Sequence, residues 1–225
     1  MSLNAGLDRG TVERAVRDAV LSRLKKAGKT VGNQPSKMVV NASARHMHVT
    51  QKDLEILFGS TAKLAVHVPL YQEGQFAAKE TVTLIGPRNR LISNLRILGP
   101  VRSCTQIELA FTDAIMLGIG DVPVRNSGDI AGSAGAYVMG PAGMLELKEG
   151  VIRAAIHAHM GPADAAWYGV GDGDLMKLSV AGPVEVTFGR VLVRVAPGFR
   201  LEVHLDTDEA NACALAYAKE IRLFK

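Results

Sequence analysis

"RHMHVTQKD" (Arg45–Asp53) and "IHAHMGPAD" (Ile156–Asp164) carry one pattern: His-x-His, with an aspartate five residues after the second histidine. His157, His159 and Asp164 each stand 111 residues after His46, His48 and Asp53. Alternate side chains of a strand share a face, so each stretch reads as a short strand showing two imidazoles on one side. A helix start follows in both. Thr50 reads as an N-cap with Asp53 at the third helical position, a capping box. In the second copy Gly161 caps, Pro162 takes the first helical position and Asp164 the third. The aspartates therefore read as caps for free helix amides rather than as metal ligands. Both helices run to a glycine, Gly59 and Gly169. A strand-and-helix unit written twice implies a duplicated fold.

The sequence around the repeat agrees. From Lys37 onward the chain breaks into short alternating runs such as "ETVTLIG", "TQIELAFT", "VEVTFGRVLVRV" and "FRLEVHL", punctuated by Gly86-Pro87, Gly99-Pro100 and Gly182-Pro183. Such runs indicate a mainly β protein. The expected architecture is two small β-barrels related by a pseudo-twofold and capped by short helices. Residues 37–46 with 155–225 are assigned to one barrel and residues 47–154 to the other. Helices are expected in "TQKDLEILFG", "GPADAAWYG" and, closing the chain, "DEANACALAYAKE". Residues 1–36 stand apart. Val12, Ala15, Val16, Ala19, Val20 and Leu24 recur at helical spacing among basic residues, and "GNQPSK" then breaks the pattern. This segment reads as an amphipathic helix on a tether, either capping the body or docking the chain to a larger assembly.

Composition narrows the function. Of 225 residues, 48% are hydrophobic and 21% charged, as in ordinary globular proteins. A net charge of +4 suits a small anionic partner, because the basic residues are scattered rather than massed. Aromatic residues make up only 5%, too few to line a base-stacking face, which argues against a single-strand nucleic-acid barrel. Cys104 and Cys213 form no metal-type spacing and no disulfide framework, so a reduced, cytoplasmic setting is expected. No apolar run is long enough to span a membrane.

Two imidazoles on one strand face can hold one tetrahedral metal ion. The two pairs use four of the six histidines. In "RLEVHLDTD", Leu201, Val203 and Leu205 alternate with Glu202, His204 and Asp206, placing His204 on a polar face. His67, in the apolar run "LAVHVPL", has no partner residues nearby in sequence. Metal centres also recruit carboxylates, and both Glu108 in "TQIELAFTD" and Glu80 in "KETVTL" are candidates that spacing does not separate. Arg102, six residues before Glu108, can grip a phosphate with two donors. The Gly/Ser-rich "VRNSGDIAGSAGA", with Ser127 and Gly128, can offer backbone amides to an anion. It matches neither a P-loop nor a dinucleotide fingerprint. A cupin-type centre is excluded, because Glu55 follows His48 by seven residues rather than four or five.

With these residues together, the chain resembles the phosphate propanoyltransferases, the phosphotransacylases of bacterial microcompartments. "VNASARHMHVTQKDLEILFG", "LRILGPVRSCTQIELAFTDA", "VRNSGDIAGSAG", "LKEGVIRAAIHAHMGPADAAWYGVGDGD" and "VLVRVAPGFRLEVHLDTDEANA" carry the resemblance, which spans residues 37 to about 213. It implies two helix-capped β-barrels with two zinc ions between them. It implies exchange of the acyl group of a short-chain acyl-coenzyme A with phosphate, giving acyl phosphate and coenzyme A. One zinc would be held by His46, His48 and Glu108, the second by His157, His159 and His204, with Arg102 on the phosphate. The resemblance also makes the N-terminal helix an encapsulation peptide that contacts shell or core proteins, and places the chain inside a microcompartment. A homo-oligomer is compatible with this reading. The main rival is a zinc hydrolase of esters or thioesters with the same ligands.

Overall fold

A computed structural model describes residues 35–225. The expected N-terminal helix lies outside the described residues. In chain order come β1 (Val39–Ser43), β2 (His46–His48), α1 (Gln51–Phe58), β3 (Val66–Pro69), β4 (Phe76–Ile85), β5 (Leu91–Gly99), β6 (Gln106–Glu108) and α2 (Phe111–Leu117). Then follow β7 (Val124–Arg125), β8 (Ala134–Met139), β9 (Met144–Ala154), β10 (His157–Met160) and α3 (Pro162–Tyr168). The chain ends with β11 (Leu175–Ala181), β12 (Val186–Val195), β13 (Glu202–Asp206), α4 (Thr207–Ala212) and β14 (Glu220–Phe224). The protein is mainly β with short helices, as the alternating runs predicted.

Two sheets form. In one, β4, β5, β2, β6, β9 and β8 pair in turn and β8 returns to β4, closing a six-stranded barrel. The other runs β1-β13-β10-β12-β11-β14 and curls as a half-barrel. Each has its own core. Met47, Leu54, Ile97 and Ile107 are fully buried in the barrel, and Ala158, Met160, Val193 and Val203 in the half-barrel. The pleat explains the division of labour on the histidine strands: Met47 points into the core while His46 and His48 face the other way.

The duplication is visible in strand pairing. β2 is antiparallel to β6 with His46 opposite Glu108, and β10 is antiparallel to β13 with His157 opposite His204. β2 is parallel to β5 and β10 to β12. Two runs that look continuous in sequence are each broken. β1 pairs with β13 of the half-barrel, after which Ala44 and Arg45 carry the chain into β2 of the barrel. β9 pairs with β6 of the barrel, after which Ala155 and Ile156 carry it into β10 of the half-barrel. The two sheets thus exchange the strands that lead into their histidines.

Three local expectations are corrected. "TQIELAFT" is strand only to Glu108, because Ala110 starts α2, which ends on Gly118 with φ +77°. The expected last helix stops at Ala212, and a strand, β14, closes the chain by pairing with β11. The aspartates do not cap as drawn. Thr50 does accept the Asp53 amide at 3.1 Å, but the Asp53 carboxylate takes the Thr105 hydroxyl, which itself accepts the Thr50 amide at 3.0 Å. The box is closed through a third residue. Asp164 accepts the amide of Ser36 at 2.7 Å, tying the incoming chain to α3.

Candidate active site

The sheet faces carrying the histidines look into one cleft of about 620 Å³, lined by both His-x-His pairs, Glu108, His204 and four arginines, Arg45, Arg96, Arg102 and Arg194. The sequence-derived ligand sets assemble. His46, His48 and Glu108 offer donor atoms within 4.8 Å of one another, and so do His157, His159 and His204. Glu80 does not join either set; it sits on β4 and accepts the Ala65 amide at 3.0 Å. His67 is exposed on β3, away from both.

The first set is buried. Nε2 of His46 lies 3.2 Å from Nε2 of His48 and 3.4 Å from Oε2 of Glu108, and Nε2 of His48 lies 3.9 Å from Oε1. A zinc ion about 2.05 Å from each donor puts tetrahedral donors about 3.3 Å apart, so this spacing fits one. The ring protons are accounted for. Nδ1 of His46 donates to Ala44 O at 2.8 Å, and Nδ1 of His48 to Leu98 O at 3.4 Å. That fixes the tautomer and leaves Nε2 with its lone pair, as a metal ligand requires. In the second set His157 repeats the device, donating Nδ1–H to Ala155 O at 2.8 Å. Its ring centroid lies 4.9 Å from that of His159 and 4.7 Å from that of His204. His159 Nδ1 and His204 Nε2 are buried with no hydrogen-bond partner, orphaned atoms that a cation would satisfy.

The electrostatics keep His48, His157 and His159 neutral. Burial, then His46, lowers His48 to about 3. Burial, then His157, lowers His159 to about 3, and burial, then His204, lowers His157 to about 4. Burial raises Glu108, but the facing His46 and His48 and the Ser127 hydroxyl outweigh it and hold it below its ordinary value. Glu202 behaves alike: burial raises it, while His204, Gln72 and Asn41 hold it at about 2.

Ser127 ties the anionic side of the first set together. Its hydroxyl donates to Glu108 Oε1 at 2.9 Å and accepts from Arg102 Nη1 at 3.0 Å and Gln106 Nε2 at 2.8 Å. Gln106 also donates to Glu108 Oε1 at 2.6 Å. Gly128 does not present its amide to the cleft, because that N–H donates to Gln106 Oε1 at 2.6 Å. Ser127 lines the cleft; Gly128 steadies Gln106. Arg102 is half-buried, and burial lowers it from its ordinary value against the pull of Glu108. The side chain of Arg194, facing the same cleft beside His159, makes no hydrogen bond or ion pair among the described residues.

Sequence reasoning missed Arg96, Arg194, Gln106 and Glu202. It also missed a signal that would have chosen Glu108. Glu108 precedes Asp113 by five residues and His204 precedes Glu209 by five, as His48 precedes Asp53 and His159 precedes Asp164. In all four, the acid stands third in the helix that follows the strand. Glu80 is followed at that distance by Ile85.

A family model described as phosphate propanoyltransferase matches residues 39–216. The chain belongs to the phosphate propanoyltransferase family. Curated relatives bearing that name cover most of it. One from Planctopirus limnophila is 50% identical over 97% of this chain and 92% of its own length. Another from Thermotoga maritima is 45% identical over 89% and 94%, and one from Salmonella typhimurium 44% identical over 77% and 81%. The chain is therefore an acyltransferase of the phosphate propanoyltransferase type. Among the described residues no helix is long and apolar enough to cross a membrane.

Proposed function

We propose that this chain exchanges the acyl group of a short-chain acyl-coenzyme A, propanoyl or similar, with inorganic phosphate, using two zinc ions held in the cleft. The observation that carries the reading is the convergence of two donor triads and two arginines with open faces, Arg102 and Arg194, on one cavity. Hydrogen phosphate and the thioester give acyl phosphate and coenzyme A thiol: a carbon–oxygen bond forms, the carbon–sulfur bond breaks, and the phosphate proton passes to sulfur. Zinc at these sites supplies Lewis acidity toward the thioester carbonyl and the departing sulfur.

The chain's own part is positioning and charge. Arg102 spends one donor on a neutral hydroxyl, which leaves its remaining donors for the phosphate and offsets the charge of the attacking anion. Arg194 extends that positive surface across the half-barrel side. Ser127 and Gln106 hold the Glu108 carboxylate still. Transfer is direct. Ser127 gives its proton to Glu108 rather than to a histidine, and Ser43 lies 3.2 Å from the Nδ1 of His204, a ring of the second donor triad. Both serines contact groups of the two donor triads, and neither sits in a Ser-His-Asp relay of the acyl-enzyme kind.

Residues 1–36 extend the proposal to an encapsulation peptide that places the enzyme in a bacterial microcompartment through shell or core proteins. Residues 37–46 with 155–225, and residues 47–154, are proposed as the two units of the duplication, with the crossover at Ala44 and Arg45 putting His46 itself on the barrel's β2. The test is metal analysis of the purified chain beside a thiol-release assay with propanoyl-coenzyme A, with and without phosphate. Two zinc per chain and phosphate-dependent release are expected. Equal release without phosphate identifies a hydrolase instead, and an acyl-enzyme trapped from acyl-coenzyme A alone overturns direct transfer.

A further inference from the structure

The strands opposite the two histidine pairs carry their acid at different positions. Opposite His48, β6 carries Gln106; opposite His159, β13 carries Glu202. Glu202 is only 3% exposed. Its carboxylate accepts Asn41 Nδ2 at 2.5 Å and Gln72 Nε2 at 2.6 Å, both neutral donors. Among the described residues no lysine or arginine forms an ion pair with it; its one ionisable neighbour at that range is His204. A carboxylate taken out of water without a cation is costly, so the position calls for one.

The geometry indicates where the cation belongs. Oε2 of Glu202 lies 3.2 Å from Nε2 of His204, yet that nitrogen is buried without a hydrogen-bond partner. The Ser43 hydroxyl lies 3.2 Å from Nδ1 on the far side of the ring and holds its orientation, with Nε2 toward Glu202. A buried imidazole nitrogen and a buried carboxylate oxygen therefore face each other at ion-pair range beside the donor triad. His46 Nε2 and Glu108 Oε2 stand in the same relation at 3.4 Å in the first triad. Both separations are close to the edge, about 3.3 Å, of a tetrahedral zinc site.

We propose that Glu202 belongs to the second metal centre, as the buried carboxylate whose charge stabilises a divalent cation held by His157, His159 and His204. The inference rests on the two-metal reading above. The three imidazoles form the compact donor set, and Glu202 meets it from the His204 side. Each centre then carries one carboxylate, on diagonal positions of equivalent strands. Gln72 makes the arrangement a link between sheets. It donates to Arg200 O at 3.0 Å and accepts Arg200 N at 3.1 Å while holding Glu202, so the loop between β3 and β4 is tied to the half-barrel centre.

The test uses the full zinc-loaded chain and Glu202→Gln, with a chromogenic chelator competing for metal. One of the two ions should leave at about 10–100-fold lower chelator, the usual cost of losing a carboxylate partner, while the other is unchanged. In the cobalt-substituted protein the visible spectrum should change for one ion only. Thermal melts separate this role from simple packing. Metal-free Glu202→Gln should melt at or above the metal-free parent, since a buried charge is gone, and the loaded variant below the loaded parent. Glu202→Asp, which keeps the charge, should recover most of the affinity. Parental affinity at both sites in Glu202→Gln, or melts lowered in both states, overturns the proposal. A parent chain that binds no second ion removes the two-metal reading itself. Two ions with an indifferent Glu202→Gln sink this inference alone.

Discussion

Freed of metal by a chelator, the protein should lose stability steeply between pH 7 and pH 5. His48 and His159 are held to about 3 and His157 to about 4, against 6.5 for an unperturbed histidine. The cause is burial first and neighbouring imidazoles second. These are depressed values, so the unfolded chain takes up protons first as pH falls. Their contribution is complete above about pH 6.5 and drains away as pH drops toward the folded values. At pH 5 all three rings remain neutral in the fold and are charged once it opens. Each pH unit costs about 1.4 kcal/mol per group, so the descent from 6.5 costs about 2 kcal/mol per histidine and about 6 kcal/mol for three. A whole domain has only about 5–15 kcal/mol to lose. Glu108 and Glu202, held low in the fold, act in the same direction but only below about pH 4.5. Urea midpoints followed by circular dichroism on chelated protein from pH 8 to pH 5 measure this directly. A midpoint that stays level between pH 7 and pH 5 refutes the reasoning.

Three further outcomes follow from the contacts. Arg102→Ala should raise the KM for phosphate and lower acyl transfer by about 10²-fold, since a charge-assisted grip is lost; an unaltered phosphate KM in steady-state kinetics contradicts that role. Arg153→Met should cost about 3–5 kcal/mol in thermal or urea unfolding. Arg153 on β9 pairs with both Asp206 and Glu209 of the half-barrel and stacks 4.6 Å over Phe111, so its loss strands two buried carboxylates. Thr105→Val should cost about 1–2 kcal/mol, by opening the relay between Thr50 and Asp53, and should leave the zinc content at its parental value.

The candidate ligands were legible in the sequence wherever one strand carries two of them. His46 with His48 and His157 with His159 needed only the pleat. Glu108 and His204 were harder, because each reaches its site across a strand pair whose register no local pattern states. The five-residue step from ligand to helical acid encodes that register, and it becomes visible once the fold shows four strands followed by four helices. Gln72 and Glu202 were out of reach. Their contact joins residues 130 apart, across two sheets. The break after Ser43 also hid in plain sequence. "NASARHMH" reads as one strand, and what splits it is the pull of two different partners, β13 before Ala44 and β6 after it.

That exchange of lead-in strands sets a timetable for synthesis. The barrel can close once β9 has emerged at Ala154, by which point His46, His48 and Glu108 are all present. β1 must wait for β13, with Val39 pairing to Glu202, while the ribosome adds over 160 residues. At about 5–20 residues per second this is a delay of about 10–30 s, during which an apolar strand hangs without its partner. The first donor triad is thus complete before the second, whose His204 comes 50 residues after Ala154. On the proposed two-metal reading, a nascent chain carrying one ion would precede the finished enzyme.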